Sequence, residues 1–168
     1  MIEQVSDLFG AAWQVSAANR KARALVLVSK AAGPLNDLLF HLRAGDLPIE
    51  IPLILSNHDN LRSLAEFYGI EFGSQAVLPE NKHEFENRIR QCVADLDIDL
   101  VVLARYMQIL SPELCDDLAG RVINIHHSFL PGFKGANPYR QAHIRGVKLI
   151  GATAHFVTSD LDEGPIIE

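Results

Sequence analysis

The sequence predicts an α/β fold, a doubly wound and mostly parallel sheet with helices on both faces, and three observations carry that expectation. Short apolar runs alternate with amphipathic stretches along the chain, the order of successive strand–helix units. The runs at residues 23–29 and 99–104 are apolar almost throughout, as strands covered on both faces must be. At 168 residues, with 48% hydrophobic and 21% charged side chains, the chain has the length and composition of one domain with a sizeable core.

Residues 1–22 place Val5, Leu8, Phe9 and Trp13 in a loose helical stripe before a polar connector, which fits either a docking segment or an inter-domain linker. The strand at 23–29 is broken by Lys30-Ala-Ala-Gly-Pro34, with Pro34 expected at the first helical position. Leu35, Leu38, Leu39 and Leu42 recur at helical spacing, and Gly45 is a suitable stop. A strand, a glycine-containing turn and a helix form a phosphate cradle in many α/β proteins. A single glycine without a fingerprint favours a structural turn instead.

Residues 49–56 read as a second strand, with Pro52 at its edge or entry. Asn57 or Asp59 is expected to cap the next helix, whose apolar face is Leu61, Leu64, Ala65 and Phe67 before Gly69. A short strand lies within 72–78. Phe85, Ile89, Cys92, Val93 and Leu96 then define an amphipathic helix in which Cys92 packs as a hydrophobe. The strand at 99–104 runs into a loop that ends at Ser111-Pro112-Glu113, a cap and proline in helix-starting order. Gly120 closes that helix and the strand 122–126 follows. A helix is expected over 138–145, a strand over 149–157 carrying His155, and the start of another strand at Ile166 and Ile167.

Composition excludes several classes of function. The net charge of −6 argues against nucleic acid as the main partner. Cys92 and Cys115 are the only cysteines and have neither metal-site spacing nor the makings of a disulfide framework, which suits a cytoplasmic protein. No apolar run reaches the length of a membrane span.

Chemistry concentrates at residues 122–131. Val122, Ile123 and Ile125 make a strand, and Asn124 and His126, two apart, project from the same face of it. Pro131 and Gly132 end the strand region soon afterwards. A polar pair at the carboxyl end of a parallel strand sits where open α/β sheets bind ligands, although a satisfied polar cluster also fits these residues alone. In a parallel arrangement Ser29, Ala104, His126 and Val157 are expected on one rim, with Asp162 on the next loop within reach of Asn124 and His126. An amide can donate to a developing oxyanion, an imidazole can shuttle a proton, and a carboxylate can orient the ring or hold a water. That set suits acyl transfer or hydrolysis at a small carbonyl. No G-x-S-x-G element is present, so attack by an amine or by water fits better than an acyl-enzyme. A metal site from His126, His127 and Asp162 is the weaker reading, because adjacent strand residues face opposite sides. Arg105, Tyr106 and Met107 could line the slot of a flat aromatic ligand, or simply pack.

Asn124-Ile-His126 with Ser128-Phe-Leu-Pro131, and the later run from Val157 to Ile167 containing Asp162, resemble the formyltransferase family that uses 10-formyltetrahydrofolate. Within it, Ser56-Asn-His58, the run 102–110 and the run 126–136 with Pro138-Tyr139 resemble the formyltetrahydrofolate deformylases. The resemblance covers about residues 20–168 and implies a Rossmann-like fold. It implies that Asn124 polarises the formyl oxygen, His126 handles protons, and Asp162 orders the attacking water. It also implies a folate slot lined by Arg105, Tyr106, Met107, Gln108, Ile109 and Leu110 and by Val157, Thr158 and Leu161. The implied reaction passes formyl to water, without metal or nucleotide cofactor, and supplies formate to one-carbon and purine metabolism. Deformylases usually carry His-Cys where Gly33-Pro34 stand, and lysine and histidine where Asn137 and Arg140 stand. Arginine at the latter position resembles the glycinamide ribonucleotide transferases, so the acceptor, water or amine, stays open. The family's full protein has an ACT-type regulatory domain. Residues 1–22 are therefore expected to be its tail and linker, and 23–168 a catalytic domain lacking its C-terminal part. A homo-oligomer of low activity follows from that expectation.

Overall fold

The computed structural model describes residues 20–135 and 137–167, so most of the expected linker, residues 1–19, lies outside the described residues. Eleven elements follow in order: β1 (Ala22–Val28), α1 (Ala32–Ala44), β2 (Ile49–Ser56), α2 (Arg62–Phe67), β3 (Glu71–Ser74), α3 (Lys82–Asp95), β4 (Leu100–Ala104), α4 (Pro112–Asp117), β5 (Val122–His126), α5 (Pro138–Ile144) and β6 (Thr153–Phe156). They build one six-stranded sheet in the order β3-β2-β1-β4-β5-β6. All neighbours are parallel except β6, which runs antiparallel to β5. The strand order reverses between β1 and β4, the switch point at which such sheets open a crevice.

Period-two alternation divides the core into two layers. Leu25 and Leu27 of β1 meet Phe85, Ile89 and Val93 of α3 and Leu114 of α4 on one face. Ala24, Val26 and Val28 meet Leu35 and Leu39 of α1 and Ala65 of α2 on the other. β1 is apolar at successive positions because both of its faces are covered. Each fully buried leucine or isoleucine here contributes about 1.5–3 kcal/mol of hydrophobic stabilisation. Pro52 lies inside β2 rather than at its entry. There the register slips, four residues of β2 (Glu50 to Leu53) lying opposite three of β1 (Arg23 to Leu25). Ile51 consequently faces the same layer as Ile54 while Leu53 and Leu55 face the other. β3 pairs with β2 only from Leu53 onward, so the missing proline N–H costs no ladder bond on that side.

Four helix ends correct or confirm the expected caps. α1 begins two residues before Pro34, which occupies the third helical position, still within the first turn where no N–H is needed. Gly45 closes α1 in the left-handed conformation, φ 85°. Neither Asn57 nor Asp59 caps α2, since Leu61 holds the cap position without a side-chain bond. Asp59 accepts instead from Arg62 and Ser74, and Asn57 is drawn into the interior. Ser111 caps α4 as expected, its Oγ accepting from the Leu114 N–H at 3.2 Å. No helix among the described residues is long and apolar enough to cross a membrane.

Candidate active site

The end of the chain corrects one expectation. β6 covers only Thr153–Phe156 and runs antiparallel, so Val157 does not share the rim with Ser29, Ala104 and His126. Its N–H donates to the Val122 carbonyl at 2.8 Å, at the opposite end of β5. The following loop then folds back along the sheet. Residues 165–167 lie beside β6, with the Phe156 N–H donating to Pro165 O at 2.9 Å and the Ile167 N–H to Ala154 O at 2.7 Å. A β-carbon on Gly164 would collide with the Phe156 carbonyl oxygen, so this return demands a glycine. The return carries Asp162 to His126.

Asn124, His126 and Asp162 all line one cavity, with His126 directly beside Asp162. His126 is buried, and its Nε2–H donates to the Phe133 carbonyl at 2.8 Å. Its Nδ1 lies 3.4 Å from Asp162 Oδ1. The ring thus lies between two oxygen acceptors, one a peptide carbonyl and one a carboxylate. Asp162 is itself buried and left-handed, φ 57°, a conformation aspartate tolerates better than most residues. Its Oδ2 accepts from the Gly135 N–H at 2.9 Å. The carboxylate is thus fixed by a ring on one side and a peptide on the other.

His155 completes the cluster; sequence reading placed it on the last strand and did not assign it to the site. It sits directly across from Asn124 in the β5–β6 ladder. Its Nδ1–H donates to the Phe156 carbonyl at 2.9 Å, which leaves Nε2 to accept from the Asn124 amide at 3.2 Å. One Asn124 N–H is thereby held and the amide plane is set, while the second N–H is left for a ligand. His155 Nε2 also lies 3.9 Å from Asp162 Oδ1.

These groups open on a cavity of about 320 Å³. Arg105, Tyr106, Met107, Gln108, Ile109 and Leu110 all line it, as do Val157, Thr158 and Leu161. Met107, Ile109 and Leu161 are exposed apolar side chains, whereas Tyr106 is buried and stacks on Phe85 with centroids 6.4 Å apart. Burial, with the nearby Glu86 charge, raises the Tyr106 phenol well above its ordinary value. Gly33, Pro34, Asn137 and Arg140 are not among the described lining residues. Among the described residues no group of three histidine, cysteine, aspartate or glutamate side chains is arranged to hold a metal ion.

Sequence reading also missed what supports this lining. Ser29, buried at the end of β1, donates its Oγ–H to Asn57 Oδ1 at 2.7 Å. The same oxygen accepts from the Met107 N–H at 2.9 Å. The loop after β4 is thus tied to the ends of β1 and β2. Glu86 of α3 ties its far end, accepting from the Ser111 N–H at 2.9 Å. The only signal in the sequence was a serine closing an apolar strand, a pattern that many strands share.

Fold and site together define a Rossmann-like α/β protein with a polar Asn–His–Asp cluster at the head of a largely apolar cavity. The chain belongs to the formyl transferase family, which matches residues 22–168. It is 50% identical over 164 residues to the formyltetrahydrofolate deformylase of Corynebacterium sp. (strain P-1), covering 98% of this chain and 57% of that protein. The Bacillus subtilis deformylase is 45% identical, with 98% of this chain and 55% of that protein covered. A crystal structure of the Pseudomonas syringae deformylase superposes with a TM-score of 0.94 at 44% identity, covering 99% of this chain and 56% of that one. A phosphoribosylglycinamide formyltransferase from Anaplasma phagocytophilum gives a TM-score of 0.77 at 35% identity, over 88% of this chain and 70% of that one. The chain therefore spans somewhat more than half the length of the deformylases it matches.

Proposed function

We propose that this chain carries the catalytic site of a formyltetrahydrofolate deformylase, which hydrolyses 10-formyltetrahydrofolate to formate and tetrahydrofolate. The observation that carries the reading is the convergence of Asn124, His126 and Asp162 at the head of a cavity with exposed Met107, Ile109 and Leu161 in its wall. A flat pterin suits those apolar side chains, and a formyl group suits the polar head. The deformylases of similar sequence support water as the acceptor.

In this mechanism the free N–H of Asn124 donates to the formyl oxygen and stabilises the charge that develops there. Asp162, buried and held by Gly135 and His126, accepts a hydrogen bond from the attacking water and takes its proton. His126 gives a proton to the leaving folate nitrogen, exchanging its bond to the Phe133 carbonyl for one to substrate. Water's hydroxyl ends on the formyl carbon and a hydrogen on the nitrogen; Asp162 then gives up the proton it took and His126 regains one through solvent, so the step balances, the carboxylate is restored, and no metal or nucleotide cofactor is called for. Arg105 to Leu110, with Val157, Thr158 and Leu161, form the folate slot.

A cytoplasmic protein that self-associates accompanies this reading. The acidic balance of −6 supports a partner other than nucleic acid, and the exposed Ile144, Leu149 and Ile150 support contact between copies. Formate release from 10-formyltetrahydrofolate, followed beside a reaction containing glycinamide ribonucleotide, tests the function. Formyl transfer to the amine faster than formate release would move the assignment to the transferases.

A further inference from the structure

Arg105 is the first residue beyond β4, at the switch point of the sheet. Two features set it apart from an ordinary lining residue. Its backbone is left-handed, φ 58°, a conformation that a long side chain adopts only where the surroundings enforce it. Its Nε is buried with no hydrogen-bond partner, the one side-chain nitrogen or oxygen so placed among the described residues. A buried donor on a permanent cation is costly to leave unpaired, and a bound anion is one partner that would satisfy it. The side chain belongs to the cavity wall that also carries Asn124, His126 and His127.

We propose that Arg105, with His127 beside it, forms a subsite for a small carboxylate, formate in the first instance, adjoining the Asn124–His126–Asp162 cluster. The inference deepens the hydrolytic reading and rests on it for the identity of the carboxylate. A guanidinium is planar and offers paired N–H groups that match a carboxylate's two oxygens. Hydrolysis leaves formic acid at Asn124, beside the Asp162 carboxylate. Its proton passes to solvent and formate remains, repelled by Asp162 and attracted by the nearby cation. A phosphate dianion is the poorer match, because it would call for more donors than one guanidinium and one imidazole. The charge state of His127 fits this division of labour. Burial first, then the Arg105 charge, then His126 hold the ring below the ordinary histidine value, so it stands neutral beside Arg105 at neutral pH.

The decisive variant is Arg105→Gly, because glycine accepts the left-handed backbone and the loop keeps its path while the guanidinium is lost. Arg105→Lys keeps the charge but not the planar fork. The whole 168-residue chain is titrated with sodium formate at constant ionic strength set by sodium chloride, with the His127 ring followed by NMR across pH. Formate is expected to raise the His127 midpoint saturably, because a bound anion favours the imidazolium. Arg105→Gly is expected to weaken that binding at least about tenfold, the loss of one charge-assisted pair, with Arg105→Lys in between. Arg105→Gly without formate is expected to show a raised His127 midpoint and an undiminished thermal midpoint. Unchanged formate affinity in Arg105→Gly, or no saturable effect in the parent chain, overturns the subsite. Inorganic phosphate displacing formate at lower concentration than formate itself overturns the carboxylate assignment. Tetrahydrofolate binding with no formate effect refutes the subsite alone. Arg105-dependent formate binding without formate release from 10-formyltetrahydrofolate supports the subsite and refutes the deformylase reading.

Discussion

Asn124 shows how much a single residue's role depends on what holds it. Alternation within a β-branched run was enough to place Asn124 and His126 side by side, because strand geometry has a fixed period of two. Nothing local indicated that His155, thirty-one residues later, accepts one Asn124 N–H and so aims the other. Asn124→Ala is expected to lower kcat by about 10²–10³, the usual cost of one oxyanion donor, with folate binding nearly unchanged. Single-turnover rates beside folate titrations check this, and a kcat within about threefold of the parent would make Asn124 structural. Ser29 acts differently, through the Met107 N–H and Asn57 rather than through substrate. Ser29→Ala leaves the buried Asn57 amide and the Met107 N–H without this partner and is expected to cost about 1–3 kcal/mol of stability. Its mark on function is a raised KM with kcat largely kept, since the loop it ties lines the slot and not the reacting atoms. A kcat loss with unchanged KM would sink that assignment.

Elements were legible in proportion to how local their causes are. α1 and α3 follow from leucine, isoleucine and phenylalanine spacing, and β1 from an apolar run that needs cover on both faces. The direction of β6 was not legible. Alternation assigns residues to faces of a strand, whereas direction depends on how residues 127–152 return to the sheet edge. Helix length does not decide it, since the seven-residue α5 in that segment is no shorter than α2 and α4, which connect parallel strands. The reversal also explains why Asp162 needs a glycine two residues on. Gly164→Ala places a methyl group against the Phe156 carbonyl and must lift the returning loop from β6. Displacement of a catalytic group by about 1 Å can cost roughly 10² in rate, so formate release is expected to fall at least that far. The return pairs beside β6 at the sheet edge, away from the β1–β4 ladders, and the far-ultraviolet circular dichroism is expected to match the parent. Full activity in Gly164→Ala would show that Asp162 is positioned by Gly135 alone.

At the scale of the whole molecule, two histidines with opposite shifts bear on how stability responds to pH near neutrality. His127 is held below the ordinary value of 6.5 by burial, Arg105 and His126. Its folded form therefore resists protonation. That contribution is complete above about pH 6.5, and it declines as pH falls from there toward the folded value, because the unfolded chain then binds the extra proton. His41 is raised from 6.5, chiefly by its hydrogen bond to Asp46 at 2.8 Å. It stabilises fully below 6.5 and loses that effect as pH rises through the folded value. At the surface, with its side chain about half exposed, His41 is the weaker and the more salt-sensitive of the two. Urea midpoints measured from pH 5 to 8 are expected to rise with pH in the parent chain. His127→Gln should flatten that rise, and His41→Gln should steepen it in low salt and leave it unchanged in high salt. Because Arg105 is one cause of the His127 depression, Arg105→Gly should also flatten the rise, though less than His127→Gln. A His127→Gln chain with the parent's slope would show that some other buried group governs acid sensitivity.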